Sequence, residues 1–166
     1  MRKPAAILGS ALLFVVVPFM IAGPLPWWIT HWQFRPALLG TELTRLAGIA
    51  FIVAGLPGLL DSFRRFAVEG LGTPAPIAPP RELVVTGLYR HVRNPMYVAV
   101  LALLIGQALL FGSPALLAVS VMFWLATHVF VILYEEPTLA ETFGAKYQAY
   151  RASVPRWIPR LTPWRG

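Results

Sequence analysis

Cysteine is absent from this chain, which excludes disulfides, thiolate metal sites and cysteine nucleophiles together. Histidine is nearly absent too. Three scattered residues with no His-x-x-x-His pair offer no ordinary zinc site, and no metal is expected. Charge is scarce: 13% of residues are Asp, Glu, Lys or Arg, while 57% are hydrophobic. A water-soluble domain carries about a quarter charged residues. A chain of 166 residues with so few charges is read as a single domain, 1–166, whose apolar surface lies in lipid. Acidic residues are the scarcer sign, leaving a formal net charge of +7. The basic residues form no continuous patch interleaved with stacking aromatics, which argues against a nucleic-acid partner. They stand beside apolar segments, as a chain meeting anionic membrane lipids requires. No G-x-S-x-G elbow or Walker loop is present. The run GLGTPA at Gly70 to Ala75 fits a dinucleotide pattern only on paper, because proline interrupts it and no strand–helix frame surrounds it.

Four apolar segments are present, roughly Pro4 to Ala22, Leu38 to Leu60, Met96 to Phe111 and Pro114 to Tyr134. A helix of about 20 apolar residues crosses the hydrocarbon, and shorter ones need neighbours or local thinning. The expected fold is therefore all-α: a polytopic membrane protein of about four transmembrane helices plus a C-terminal amphipathic cytoplasmic helix. Residues 1–60 supply the first two spans, 61–95 a proline-rich cytoplasmic loop, and 96–159 a helical hairpin followed by the C-terminal helix. The first segment has the basic start of a signal peptide, but MIAGPLPWW is a poor cleavage site, so it is read as a retained helix. Trp27, Trp28 and Trp32 then stand at an interfacial level. Twelve of the fourteen basic residues fall on one side of a four-span arrangement, leaving only Arg35 and Arg45 for the other. Basic loops stay in the cytoplasm, so both termini are expected there. A bacterial inner membrane is the expected location.

Prolines 74, 76, 79 and 80 give the loop an extended, semi-rigid path. From Pro137 to Val154, the residues Leu139, Phe143, Tyr147, Tyr150 and Val154 recur at helical spacing and share one face. Gly144 inside that stretch costs about 1 kcal/mol relative to alanine.

Two clusters carry possible chemistry. In TGLYRHVRNPMY, Thr86 to Tyr97, an extended residue precedes Pro95 and a helix starts there, leaving unpaired N–H groups at the membrane face. Such an end attracts an anion or a ligand carboxylate, and Tyr89 and Tyr97 add hydroxyls and π-faces. Interfacial anchoring by tyrosine and arginine explains the same residues, so both readings stand. The second cluster is Glu135–Glu136 at the exit of the fourth segment, with His128 seven residues earlier on roughly the same helical face. Carboxylates beside a hydrophobic exit are functional candidates, against a capping role in water. The tail FGAKYQAYRASVPRWIPR either lies on headgroups or folds back over both clusters as a lid.

These pieces resemble one family. GLYRHVRNPMY, an apolar hairpin, then EEPTLAETFGAKYQAYRASVPRWIP look like the membrane methyltransferases typified by isoprenylcysteine carboxyl methyltransferase, a group that includes phospholipid N-methyltransferases. The resemblance spans Arg81 to Pro159. It implies S-adenosylmethionine as cofactor and a lipidic or membrane-partitioned small molecule as substrate, with the active site on the cytoplasmic side. Carried over, Arg81, Glu82, Leu83 and Val84 would run along the adenosine, and Tyr89, Asn94, Pro95 and Tyr97 would line the pocket. Glu135 or Glu136 would hold the ammonium, with Glu136 or His128 as candidates to take a proton from an amine nucleophile. Asn94 replaces the family's usual histidine before proline and Ala99 its glycine, whose added methyl would narrow the cofactor's approach. No arginine directly precedes the glutamates, which weakens the case for a carboxylate acceptor. The acceptor atom stays open. Two other readings stand beside this one: an NADPH-dependent sterol-reductase-like enzyme, whose C-terminal half looks similar, and a non-catalytic membrane protein of the same fold.

Overall fold

The computed structural model describes residues 16–69 and 82–165, so Arg81 and the prolines at 74, 76, 79 and 80 lie outside the described residues. Among those described, every regular element is helical. Helix α1 spans Val16–Thr30, broken at Gly23. Its second half begins with Pro24 in the first turn, where a missing N–H costs nothing. A short 3₁₀ turn at Leu38–Gly40 leads to α2, Leu43–Glu69. A second 3₁₀ turn, Gly87–Arg90, precedes α3 at Pro95–Phe111 and α4 at Pro114–Phe130. A wide π turn, Val131–Glu135, then carries the chain without a break into α5, Glu136–Ser153.

The hairpin between α3 and α4 follows from three residues. Gly112 closes α3 in the left-handed region at φ 65°, and a Cβ there would stand 2.3 Å from the Pro36 carbonyl oxygen. Ser113 then caps α4, its hydroxyl accepting from the Leu116 N–H at 3.2 Å. Pro114 takes the first helical position.

Helices α2 and α3 meet at glycines. A Cβ on Gly48 would lie 2.6 Å from the Gly106 carbonyl oxygen, and one on Gly106 would lie 2.8 Å from that of Gly48. Small residues let backbones approach in lipid, where dispersion replaces hydrophobic burial as the attractive force. Leu59, Met96, Val100, Leu103, Leu104 and Leu116 fill the shared core. Gln107, buried in α3, donates to the Ala22 carbonyl at 2.8 Å and ties α1 to the pair.

Two helices are long and apolar enough to cross a membrane, Leu43–Arg65 and Pro114–Ser153; Val16–Thr30 and Pro95–Phe111 are apolar but shorter. In each long helix only 17% of the apolar window is buried inside the protein. The core helix of a soluble protein would be mostly covered; here Val53, Met122 and Leu133 point outward at 65%, 68% and 73% exposure. An apolar surface this continuous belongs in lipid.

Several expected boundaries move. The second segment does not start as a helix at Leu38: Leu39 and Gly40 take positive φ, and α2 begins at Leu43 and runs past Leu60 to Glu69. The loop expected from Asp61 therefore begins as helix. Trp27 and Trp28 lie within α1, not beyond it, and with Trp32 they are exposed. Pro4 to Val15 lie outside the described residues. In α5, Gly144 takes φ 51° and ψ −126°, so the helix is interrupted where a uniform one was expected.

Candidate functional site

The end of the bundle where α3 begins and α4 leaves gathers the chemistry-bearing residues. Gly87 sets the approach: its φ is 51°, and a Cβ there would fall 2.0 Å from the guanidinium of Arg65. That guanidinium bonds Asp61 at 2.8 Å and Thr86 at 3.0 Å, so it is not free to move aside. The turn then buries Tyr89. Burial first, and nearby Glu135 second, push its phenol well above the usual tyrosine range. Its backbone carbonyl accepts from the Tyr150 hydroxyl at 2.7 Å, which fastens α5 beneath the turn. Leu83 and Val84 are also buried, and Leu83 packs with Tyr147, Tyr150 and Val154, with Leu139 and Phe143 alongside. Glu82 is exposed.

Glu136 sits at the centre, 5% exposed. It pairs with Arg93 at 2.9 Å, with Arg156 at 2.5 Å and with Arg151 at 3.6 Å. Arg156 bonds it through both Nε and Nη2, which raises the guanidinium's already high pKa. Arg93 also donates to the Tyr147 hydroxyl at 3.2 Å, yet its buried Nε has no partner. A buried donor without an acceptor costs about 1–3 kcal/mol. Glu135, half-buried, takes one hydrogen bond, from the Tyr97 hydroxyl at 3.2 Å. Arg93, Asn94, Glu135, Glu136, Tyr147 and Tyr150 share the wall of a cavity of about 20 Å³. The two adjacent glutamates therefore differ in kind: one carboxylate is held by three guanidiniums, the other by a single phenol.

The tail folds back over this end. Arg93 N–H donates to the Pro155 carbonyl at 2.9 Å, Arg160 N–H to that of His91 at 3.0 Å, and Trp164 N–H to that of Arg90 at 2.9 Å. Asn94, buried at the first turn of α3, uses its side-chain amide to hold the Arg156 carbonyl at 3.1 Å. Trp157 donates through Nε1 to Nδ1 of His128 at 2.9 Å, which leaves the neutral ring its proton on Nε2. Trp157 also faces Tyr97, ring centres 6.5 Å apart. Of the two courses open to the tail, the structure takes the folded-back one.

Among the expected site residues, Tyr89, Asn94, Pro95, Tyr97, Glu135 and Glu136 stand together at this end. His128 is linked to them through Trp157, which bonds its Nδ1 and faces Tyr97. Leu83 packs against α5, Val84 is buried, and Arg81 lies outside the described residues. Ala99 packs toward α2, where a Cβ built on Gly58 would lie 3.6 Å away, and lines a cavity of about 190 Å³ with Leu88, His91 and Pro95. Arg93 and Arg156 were missed as site residues. Their signal was available in two buried-edge carboxylates that need counter-charges.

A larger cavity of about 320 Å³ begins at Tyr97 and runs between α1, α3 and α4.

The phospholipid methyltransferase family matches residues 43–146, and the chain belongs to that family. Methanethiol S-methyltransferase 2 of Bradyrhizobium diazoefficiens is 32% identical over 161 residues, covering 80% of this chain and 55% of that protein. Methanethiol S-methyltransferase of Pseudomonas deceptionensis is 27% identical over 166 residues, covering 96% and 60%. Protein-S-isoprenylcysteine O-methyltransferase of Schizosaccharomyces pombe is 35% identical over 82 residues, covering 48% and 34%. The chain thus spans a little over half the length of the two methanethiol relatives. No solved structure matches it.

Proposed function

We propose that this chain is an integral membrane methyltransferase that uses S-adenosylmethionine and acts on a membrane-partitioned small molecule. One observation carries the reading: Arg93, whose buried Nε has no partner, and Glu135, whose carboxylate takes one hydrogen bond, line the same small cavity, which at about 20 Å³ must widen to admit more than a water. That pair of opposite charges suits the zwitterionic amino-acid end of the cofactor. Arg93 would take its carboxylate and Glu135 its ammonium, beside the first turn of α3. When bound, the cofactor supplies an electrophilic methyl group on a sulfonium.

The chain's own residues then do the positioning. Tyr97 holds Glu135 through its hydroxyl. Glu136, saturated by guanidiniums, keeps Arg93 in place and joins it to the tail. A carboxylate paired three times over is a weak base, and the one ring nitrogen of His128 able to accept is taken by Trp157. Glu135, with one hydrogen bond against three ion pairs on Glu136, is the less committed carboxylate to receive a proton lost by the nucleophile, in competition with its hold on the ammonium. The tail, laid across the entrance, excludes water, and alignment supplies most of the acceleration. Membership of the family favours methyl transfer over NADPH-dependent reduction, and the two relatives named for methanethiol favour sulfur as the receiving atom. The short apolar helices complete a four-span bundle in this reading, with the arginine-rich end in the cytoplasm of a bacterial inner membrane.

The test is equilibrium dialysis of labelled S-adenosylmethionine against detergent-purified protein. Saturable binding, weakened in Glu135→Ala and in Arg93→Met, is the expected result. Absence of binding by protein that stays folded overturns the reading.

A further inference from the structure

The cavity between α1, α3 and α4 is chemically one-sided. Ile21, Val100, Ala126 and Phe130 are representative of its wall, and among the described residues lining it the hydroxyls of Tyr97 and Thr127 are the only polar side-chain oxygens or nitrogens. Thr127 is already spent: its hydroxyl donates to the Phe123 carbonyl at 2.9 Å and lies 3.1 Å from that of Trp124. The wall is thus almost wholly apolar, and Tyr97, whose hydroxyl is turned to Glu135, is the residue that joins the cavity to the site described above. A volume of about 320 Å³ is at the lower end of the roughly 300–1,000 Å³ range of small-molecule pockets. At about 30 Å³ per water-sized group, that is room for on the order of ten such groups.

We infer that this cavity seats the methyl acceptor, and that the acceptor is a compact, uncharged, chiefly apolar molecule presenting one nucleophilic atom to Tyr97. The inference rests on the methyltransferase reading for the word acceptor, but not for the existence of the site. A phosphate or ammonium headgroup fits poorly. No charged side chain lines the wall among the described residues, and burying an ion without a partner is prohibitive. The arginines of this end are turned toward Glu136 and the tail instead. An alkyl chain, by contrast, gains from every group it removes from water. Helix α1 supplies one wall, so the first helix sets acceptor size and is more than an anchor.

The test uses the full chain in phosphatidylcholine nanodiscs, without cofactor, titrated with hexane-1-thiol while the unfolding midpoint is followed. A ligand that binds the folded state raises the midpoint in a saturable way. The expected result is such a rise in the wild type, weakened about tenfold by Ala126→Trp, whose indole fills the space. If that variant fails to fold, Ala126→Leu replaces it, and Phe130→Ala gives an independent arm: an enlarged cavity shifts preference from hexane-1-thiol to decane-1-thiol. An unchanged response in a folded filled variant overturns the proposal. So does a larger, Ala126-sensitive rise with phosphatidylethanolamine than with the thiol. Parallel dialysis with S-adenosylmethionine separates the two readings: thiol binding without cofactor binding leaves the site standing and removes the methyltransferase.

Discussion

Replacing Glu136 by glutamine tests whether the arginine cluster is what holds this end of the bundle together. Glu136 and Arg93 have side chains only 6% and 9% exposed, so their pairing is shielded from solvent. Removing one partner of a buried ion pair costs about 3–5 kcal/mol, because the other is left as an uncompensated charge. Arg151, 3.6 Å away and 46% exposed, returns to water in the variant and adds only about 0–1 kcal/mol. Arg156, 26% exposed, loses both of its bonds to the carboxylate but retains partial access to water. Glutamine keeps the shape and one acceptor, which places Glu136→Gln at the low end, about 3 kcal/mol. At about 2–4 °C per kcal/mol for a chain of this size, the unfolding midpoint falls by about 6–12 °C. Tryptophan fluorescence of the detergent-purified protein on heating reads this directly. The double variant Arg93→Met with Glu136→Leu should lie closer to wild type than Glu136→Gln does, since no lone buried charge remains. A midpoint for Glu136→Gln within experimental error of wild type would refute the reasoning.

Three further outcomes follow from the same structure. Gly87→Ala meets both a positive φ and the Arg65 guanidinium, and a loss of about 1–3 kcal/mol is expected in thermal unfolding. Gly48→Val drives a branched side chain into the Gly106 carbonyl; separation of α2 and α3 should appear as faster hydrogen exchange along both helices. Trp157→Phe removes the bond to His128; trypsin should then cut at Arg156 and Arg160 several-fold faster, while a tail anchored only by its backbone contacts would keep the wild-type rate.

Much of the bundle was legible because apolar runs and helix punctuation are local signals. Pro95 and Pro114 mark helix starts, and Phe111–Gly112–Ser113–Pro114 spells its own turn. The end of α2 was not legible, since residues past Leu60 are helical through contacts made elsewhere, such as Arg65 with Thr86. The roles of Glu135 and Glu136 were hidden for a sharper reason. The π turn at Val131–Glu135 widens the helix between His128 and the glutamates, so a count of 3.6 residues per turn loses the register there. Which carboxylate meets the arginines is then decided by the returning tail, whose partners lie sixty or more residues away at Arg90, His91 and Asn94. No spacing rule reaches that far. Asn94 shows the same limit: its place in the motif says nothing of the Arg156 carbonyl that its amide holds.

The central claim is transfer of a methyl group to a small apolar acceptor, and the most direct measurement follows the label. Membranes containing the protein are incubated with methyl-labelled S-adenosylmethionine and hexane-1-thiol, then separated into volatile, lipid and protein fractions. The account predicts label in the volatile thioether, abolished in Glu135→Ala and reduced in Ala126→Trp. Label confined to the phospholipid fraction, or thioether formed equally by Glu135→Ala, would contradict it.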